Sequence, residues 1–320
     1  MTKELPDNWL GDPQLRAEFA EKGYALLPQF AEKELAPLRS LYQSLQRGQN
    51  DGFFTSMNLE DSDDRRRVDA TIKCLLGEKA QELLPGYRPL LGNFTVKAPE
   101  GDSELRIHLD WSVLDERHHR TIGIWLPLSD VDEHNGALGI LEGSHRVGHT
   151  RRGSLVNFVT WDQRFSPSGF LEAVKAQYPA RLLCLKAGTA VIYDLSLAHF
   201  SVPNRTPQVR LATNLMMIPE EAQPVHYFRE SERRIRQMQV DQEFFLTRNM
   251  AAPPDLDRYP SIVETLAPGE VIEEQYGTGV VIGEGEYTLD RRLGAPARTL
   301  TEAIGRTNRP WWRQLFSRNN

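Results

Sequence analysis

The stretch Arg106-Ile-His-Leu-Asp-Trp111 places His108 and Asp110 two positions apart in what reads as a β-strand. Side chains at i and i+2 project to the same face of a strand, so an imidazole and a carboxylate stand side by side. A third donor, His199, lies in Leu197-Ala-His-Phe-Ser201. Two histidines and one carboxylate that leave coordination positions open are the facial triad of non-haem Fe(II) oxygenases. The chain has eight histidines, so an isolated His-X-Asp carries little weight, and His108 could equally be a structural histidine salt-bridged to a neighbour. Arg210 adds to the constellation. It follows His199 across the turn Pro203–Pro207, on the next strand, where a guanidinium can bind a dicarboxylate cosubstrate through paired, charge-assisted bonds. Ser201 can donate to the same carboxylate. For Arg210 alone, a salt bridge to one of the many acidic residues is the alternative.

The elements that must position these residues are short strands. From residue 89 the chain breaks into apolar runs separated by Pro, Gly and Asn: Leu90–Lys97, Leu105–Trp111, Thr121–Leu128, Ala137–Leu141, Arg181–Leu185, Thr189–Asp194 and Val209–Ile218. Strands of this length and spacing predict a β-sandwich or barrel, not βαβ units. Asp130–Gly136, ending in Asn-Gly, predicts a turn between two of them. Helices are predicted over 13–22, stopped by Gly23, over 31–47 and over 70–84, with a small strand at Tyr24–Leu27. Residues 49–70, with the charged run Glu60–Arg67, read as a solvated loop or helix start that could also cover a site. The segment 146–180 is a long insertion between strands. Residues 221–249 read as polar and helical, and a hairpin is predicted around Gly277–Gly285.

Bulk properties narrow the classes. The chain has 320 residues with 40% hydrophobic and 26% charged content, ordinary for a soluble globular protein. Its net charge of −6 gives no reason to expect nucleic acid as a partner. Cys74 and Cys184 stand alone, outside any CxxC pattern, so neither a zinc knuckle nor a disulfide framework is expected. With no apolar leader after Met1 and no run of the length a membrane span requires, a cytoplasmic location is expected.

Taken in order, Glu21-Lys-Gly-Tyr-Ala-Leu-Leu27, Val96-Lys-Ala-Pro99, the His108/Asp110 pair, Ile124–Leu138, Glu142-Gly-Ser-His145 and His199 with Arg210 resemble the phytanoyl-CoA dioxygenase-like family of Fe(II)/2-oxoglutarate-dependent oxygenases. The resemblance runs from about Gly23 to Ile218. It implies a mainly β fold with flanking helices, a double-stranded β-helix or cupin-like jelly roll. On that plan residues 1–88 are a helical flank with a small strand. Residues 89–220 are the jelly-roll core with its insertion at 146–180, and 221–320 are a helical and loop extension of the same domain.

The resemblance further implies Fe(II) held by His108, Asp110 and His199, with 2-oxoglutarate and O2 as cosubstrates. Arg210 and Ser201 would hold the distal carboxylate of 2-oxoglutarate, Trp125 would line its pocket, and Asn93 and Thr95 are further candidates. His145 most simply shapes a turn, with a fourth ligand as the alternative. Leu109 stands where the family often has Gln, at a position pointing away from the metal. Related halogenases lack the metal-binding carboxylate, so Asp110 favours hydroxylation. The expected substrate is a small molecule or a carrier- or lipid-linked metabolite, walled by 49–70, 146–180 and 221–250. Arg151, Arg152 and Arg164 could meet an anionic group or form a solvated basic loop. Over residues 291–320 seven Arg face one Glu, with Trp311, Trp312 and Phe316, which suits either a peripheral membrane or partner contact or a helix docked on the body. A non-catalytic jelly-roll protein that binds metal or ligand is the alternative to an enzyme.

Overall fold

A computed structural model describes residues 10, 12–45, 52–148, 151–155, 168–231, 234–248, 254–265 and 280–291. The strands are β1 (Tyr24–Gln29), β2 (Phe53–Thr55), β3 (Tyr87–Lys97), β4 (Leu105–His108), β5 (Ile122–Pro127), β6 (Leu138–Leu141), β7 (Ser154–Leu155) and β8 (Ala180–Leu183). They continue with β9 (Thr189–Asp194), β10 (His199–Ser201), β11 (Arg210–Pro219), β12 (Val225–Ser231), β13 (Arg234–Gln239), β14 (Ser261–Thr265) and β15 (Thr288–Asp290). Helices are α1 (Pro13–Lys22), α2 (Glu32–Ser44), α3 (Ser62–Leu83), α4 (Ser168–Gln177) and α5 (Gln242–Thr247).

A major sheet in the order β1-β9-β5-β11-β3-β2 faces a second sheet, β15-β8-β6-β10-β4, in the jelly-roll arrangement. Nearly every pairing in these two sheets is antiparallel; β15 joins β8 in parallel. The alternation of the major sheet explains why its strands read as unbroken apolar runs. Ile122, Ile124, Leu126, Ala190, Ile192, Leu211 and Leu215 pack on the helical side. Trp125, Val191, Tyr193 and Ala212 point between the sheets. Both faces are buried, so neither residue set is polar.

Helices α1, α2 and α3 form for local reasons and cover that outer face. Asp12 caps α1 by accepting from the Gln14 N–H at 2.7 Å, and Gly23 ends it at φ +83°. Gly23 has a second reason to lack a side chain, because a Cβ there would come 2.4 Å from His145 Nδ1. Helix α3 begins at Ser62, earlier than the sequence predicts, with Asp61 as its cap and Asp63 and Asp64 in the first turn. The charged run is thus the solvated, dipole-favoured start of a helix that buries Val68, Ile72, Leu76, Ala80 and Leu83.

Two other expectations are corrected. Strand β4 stops at His108, so Asp110 lies just past its end. The described residues of the segment predicted as a helix over 221–249 form two strands, β12 and β13, and the short helix α5; the strands join β14 and β7 in a third sheet. Val225, Tyr227 and Ile235 pack together there, and pairing on both sides of β13 outweighs the low strand propensity of its Arg and Gln residues. Residues 277–279 of the hairpin expected around 277–285 lie outside the described residues; within 280–291, Val280 bridges Ile107 and β15 pairs with β8. The Arg- and Trp-bearing residues 292–320 lie outside the described residues. No helix among the described residues is long and apolar enough to cross a membrane.

Candidate metal centre

Strands β4 and β10 pair so that His199 stands opposite His108. Backbone carbonyls orient both rings: Arg106 O lies 2.7 Å from His108 Nδ1 and Leu197 O lies 3.0 Å from His199 Nδ1. A carbonyl only accepts, so each Nδ1 carries the proton and each Nε2 presents a lone pair. Those Nε2 atoms are 3.9 and 3.8 Å from Asp110 Oδ1. Two metal–ligand bonds of about 2 Å span up to about 4 Å, so one ion fits among the three atoms. His108, Asp110 and His199 form the one such group among the described residues, with ligand atoms within 4.8 Å of one another. Burial, and then the neighbouring His199, push the His108 imidazolium down to about 4, against the pull of Asp110. Neutral imidazole is the form a metal binds.

The segment carrying Asp110 is pinned from two sides. Arg152, 1% exposed, donates from Nε to the Asp110 carbonyl at 2.5 Å, while its other nitrogens bind Glu116 at 2.7 and 2.6 Å. From the major sheet, the Tyr193 hydroxyl lies 3.3 Å from Asp110 Oδ2, and Asn214 Nδ2 donates to that hydroxyl at 3.0 Å. Burial, followed by the Asp110 charge, pushes the Tyr193 phenol well above its ordinary range, so it remains an O–H donor.

Beside the cluster a cavity opens between the sheets, lined by Trp125, Asn93, Thr95, Ser201 and Arg210 among others. Arg210 is 3% exposed and forms no salt bridge among the described residues; its Nη1 donates to the Thr95 carbonyl and hydroxyl at 3.1 and 3.3 Å. Its Nε and the Ser201 hydroxyl are buried with no hydrogen-bond partner. Burial lowers the Arg210 guanidinium below its ordinary value. The salt bridge weighed as the alternative for this arginine is therefore absent among the described residues. Trp125 places its ring 5.9 Å from the guanidinium. Asn93 donates to Thr55 Oγ at 2.9 Å and faces the cavity from β3.

The three metal-ligand candidates and the five cosubstrate candidates, Arg210, Ser201, Trp125, Asn93 and Thr95, line one cavity. His145 does not: it lies in a short 3-10 turn against Gly23, away from the cluster. Arg151 and Arg152, weighed as contacts for an anionic group or as a solvated basic loop, are paired with Glu264 and Glu116, and Arg164 lies outside the described residues. Of the three expected walls, the first and third contribute, through Phe53, Thr55, Met57 and Asn58 and through Phe245. Sequence reasoning missed Tyr193, Asn214, the Arg152–Glu116 pair and Lys97. Lys97 is fully buried, donates to the Ser103 carbonyl, lies 3.4 Å from that of Ser201, and is pushed well below its ordinary range by burial and by Arg210. Gly136 (φ +93°) makes room for it, because a Cβ there would meet the lysine chain at 2.4 Å.

The sequence pattern of the phytanoyl-CoA dioxygenase family matches residues 19–212, more than half of the chain. The phytanoyl-CoA dioxygenase domain-containing protein 1 homolog of Dictyostelium discoideum is 35% identical over 120 residues, which is 36% of this chain and 41% of that protein's length. EctD from S. alaskensis, solved with 2-oxoglutarate and 5-hydroxyectoine, shares the fold at a TM-score of 0.50 and 19% identity, covering 79% of this chain and 89% of that one. EvdO2 from Micromonospora carbonacea var. aurantiaca, complexed with 2-oxoglutarate, matches at a TM-score of 0.48 and 21% identity over 71% of this chain and 94% of that one. On the extent of the family match, this chain belongs to the phytanoyl-CoA dioxygenase family.

Proposed function

We propose that the chain is an Fe(II)/2-oxoglutarate-dependent dioxygenase that hydroxylates an aliphatic carbon of a small-molecule or carrier- or lipid-linked metabolite. The observation that carries this reading is the buried Arg210, which forms no salt bridge among the described residues, together with the unpartnered Ser201 hydroxyl beside the two-histidine, one-carboxylate cluster. A buried cation of this kind is costly to the free protein and suits a ligand that brings its own carboxylate. His108, Asp110 and His199 would hold Fe(II), while Arg210 and Ser201 would bind the distal carboxylate of 2-oxoglutarate. Trp125, Thr95 and Asn93 would wall the cosubstrate.

Bound there, Fe(II) supplies the oxidising chemistry: O2 and 2-oxoglutarate become succinate and CO2, and one oxygen atom enters the substrate. This chain's residues bind, orient and exclude water. Retention of Asp110 supports hydroxylation over halogenation. Leu91, Val113, Met216 and Phe245 give the cavity an apolar wall that suits an aliphatic substrate. The test is O2-dependent formation of succinate from 2-oxoglutarate by the Fe(II)-loaded protein, followed by a substrate screen that looks for a mass gain of one oxygen. Metal-loaded, folded protein that turns over no 2-oxoglutarate with any substrate would remove the enzymatic reading.

A further inference from the structure

Tyr193 sits on β9 with its ring laid over Gly123 of β5, where a Cβ would come 2.2 Å from the ring. Gly123 is therefore the space that lets a tyrosine lie flat between the sheets and reach the metal cluster. Its hydroxyl meets Asp110 through Oδ2, at 3.3 Å, whereas Oδ1 is the oxygen turned toward both histidine Nε2 atoms. The two carboxylate oxygens thus face different partners. Asn214, across the sheet on β11, donates Nδ2 to the phenol oxygen at 3.0 Å. Asn214 Oδ1 also lies 3.3 Å from that hydroxyl, but the bond to the carboxylate is charge-assisted and takes the proton. A phenylalanine would fill the same apolar space without a buried hydroxyl to satisfy. Packing therefore does not explain the tyrosine.

Resting on the Fe(II) reading above, we infer that Tyr193, braced by Asn214, is a positioning residue that ties up Asp110 Oδ2 so that only Oδ1 reaches the metal. One-oxygen binding by Asp110 keeps open the positions that a chelating cosubstrate and O2 require. Without the hydroxyl, Asp110 loses one of the contacts that hold Oδ1 toward the two histidines, and the ligand set is less well preorganised. Outer partners of this kind typically contribute ten- to hundredfold in metal affinity.

The experiment measures Mn(II) binding to the full chain by the EPR signal of free Mn(II), with folding followed by circular dichroism. Tyr193→Phe is expected to weaken Mn(II) binding by about ten- to hundredfold while the apo-protein keeps its secondary structure and a cooperative melt. Asn214→Ala should weaken it less, and adding it to Tyr193→Phe should bring little further loss, since Asn214 acts through the phenol. Mn(II) affinity of Tyr193→Phe within twofold of wild type overturns the inference and leaves the proposed function standing. Should Tyr193→Phe not fold, the same twofold criterion applies to Asn214→Ala. Folded wild-type protein that binds no Mn(II) overturns the Fe(II) reading, and this inference with it.

Discussion

His108 and His199 face each other across the β4–β10 ladder, their ring centroids 4.1 Å apart. Two strands that are far apart in sequence thus supply two ligands from one register position, and the carboxylate comes from the turn that leaves β4. A metal site built on paired strands is rigid on its histidine side. Asp110 is the adjustable member, which is why its carbonyl is bound by Arg152 and its Oδ2 by Tyr193.

Arg210→Met should separate binding from stability. Losing the charge-assisted contact is expected to weaken 2-oxoglutarate binding by about 2 kcal/mol or more, roughly thirtyfold. The free protein should change little in stability, because relief of a buried charge that forms no salt bridge among the described residues offsets the lost hydrogen bonds to Thr95. Calorimetry with 2-oxoglutarate and urea denaturation of the apo-protein check the two halves. A stability loss equal to the binding loss would mean that the contacts to Thr95, not a bound carboxylate, account for the buried arginine.

Arg152→Ala removes one member of a buried ion pair and takes that cation from Glu116, which is 5% exposed. The expected destabilisation is about 3–5 kcal/mol, read as a lower urea midpoint with an unchanged slope. Because Arg152 also holds the Asp110 carbonyl, Mn(II) affinity should fall as well. Intact affinity in a destabilised variant would confine Arg152 to folding.

Gly123→Ala pushes a methyl group into the Tyr193 ring. Overpacking of this kind costs about 1–3 kcal/mol. The ring must move away from Asp110, so metal affinity should drop in parallel with stability. A variant with wild-type melting and wild-type Mn(II) binding would contradict the close packing of these two strands.

The metal-free protein should be acid-sensitive in a defined window. His108 is pushed down to about 4 and His226 well below its ordinary value, both chiefly by burial. The unfolded chain therefore takes up protons before the folded one does as pH falls, and stability is lost between about 6.5 and 4. His108 alone accounts for up to about 3 kcal/mol of that loss. Urea midpoints at pH 7 and pH 4.5 check the sign, and His108→Gln should flatten the slope. Equal midpoints in the wild type would contradict it.

Much of the centre was legible because its determinants are local. The i, i+2 spacing announces His108 and Asp110, and His199, Ser201 and Arg210 flank a single turn. What was not legible depends on register. Tyr193, Asn214 and Asp110 meet only because β9, β5 and β11 lie side by side, and the available hint was Gly123 in the middle of a strand. Arg152 reads as a basic loop residue until Glu116 is brought beneath it. Strand β13 was mistaken for helix because two polar faces of a paired ribbon carry no clear period of two, and only Ile235 and Met238 are buried along it. Strand β4 ends one residue before Leu109, yet Asp110 still turns its carboxylate to the cluster because hydrogen bonds, not the strand's alternation, aim it.

The most direct measurement is anaerobic titration of Fe(II) and 2-oxoglutarate into the purified chain while watching for the weak visible charge-transfer band of a chelated 2-oxo acid. The band should appear in the wild type. It should be absent from Asp110→Ala at matched metal, and restored in Arg210→Met only at cosubstrate concentrations raised by roughly thirtyfold or more. Folded wild-type protein that binds Fe(II) but develops no band at saturating 2-oxoglutarate would contradict the pairing of Arg210 with this metal site.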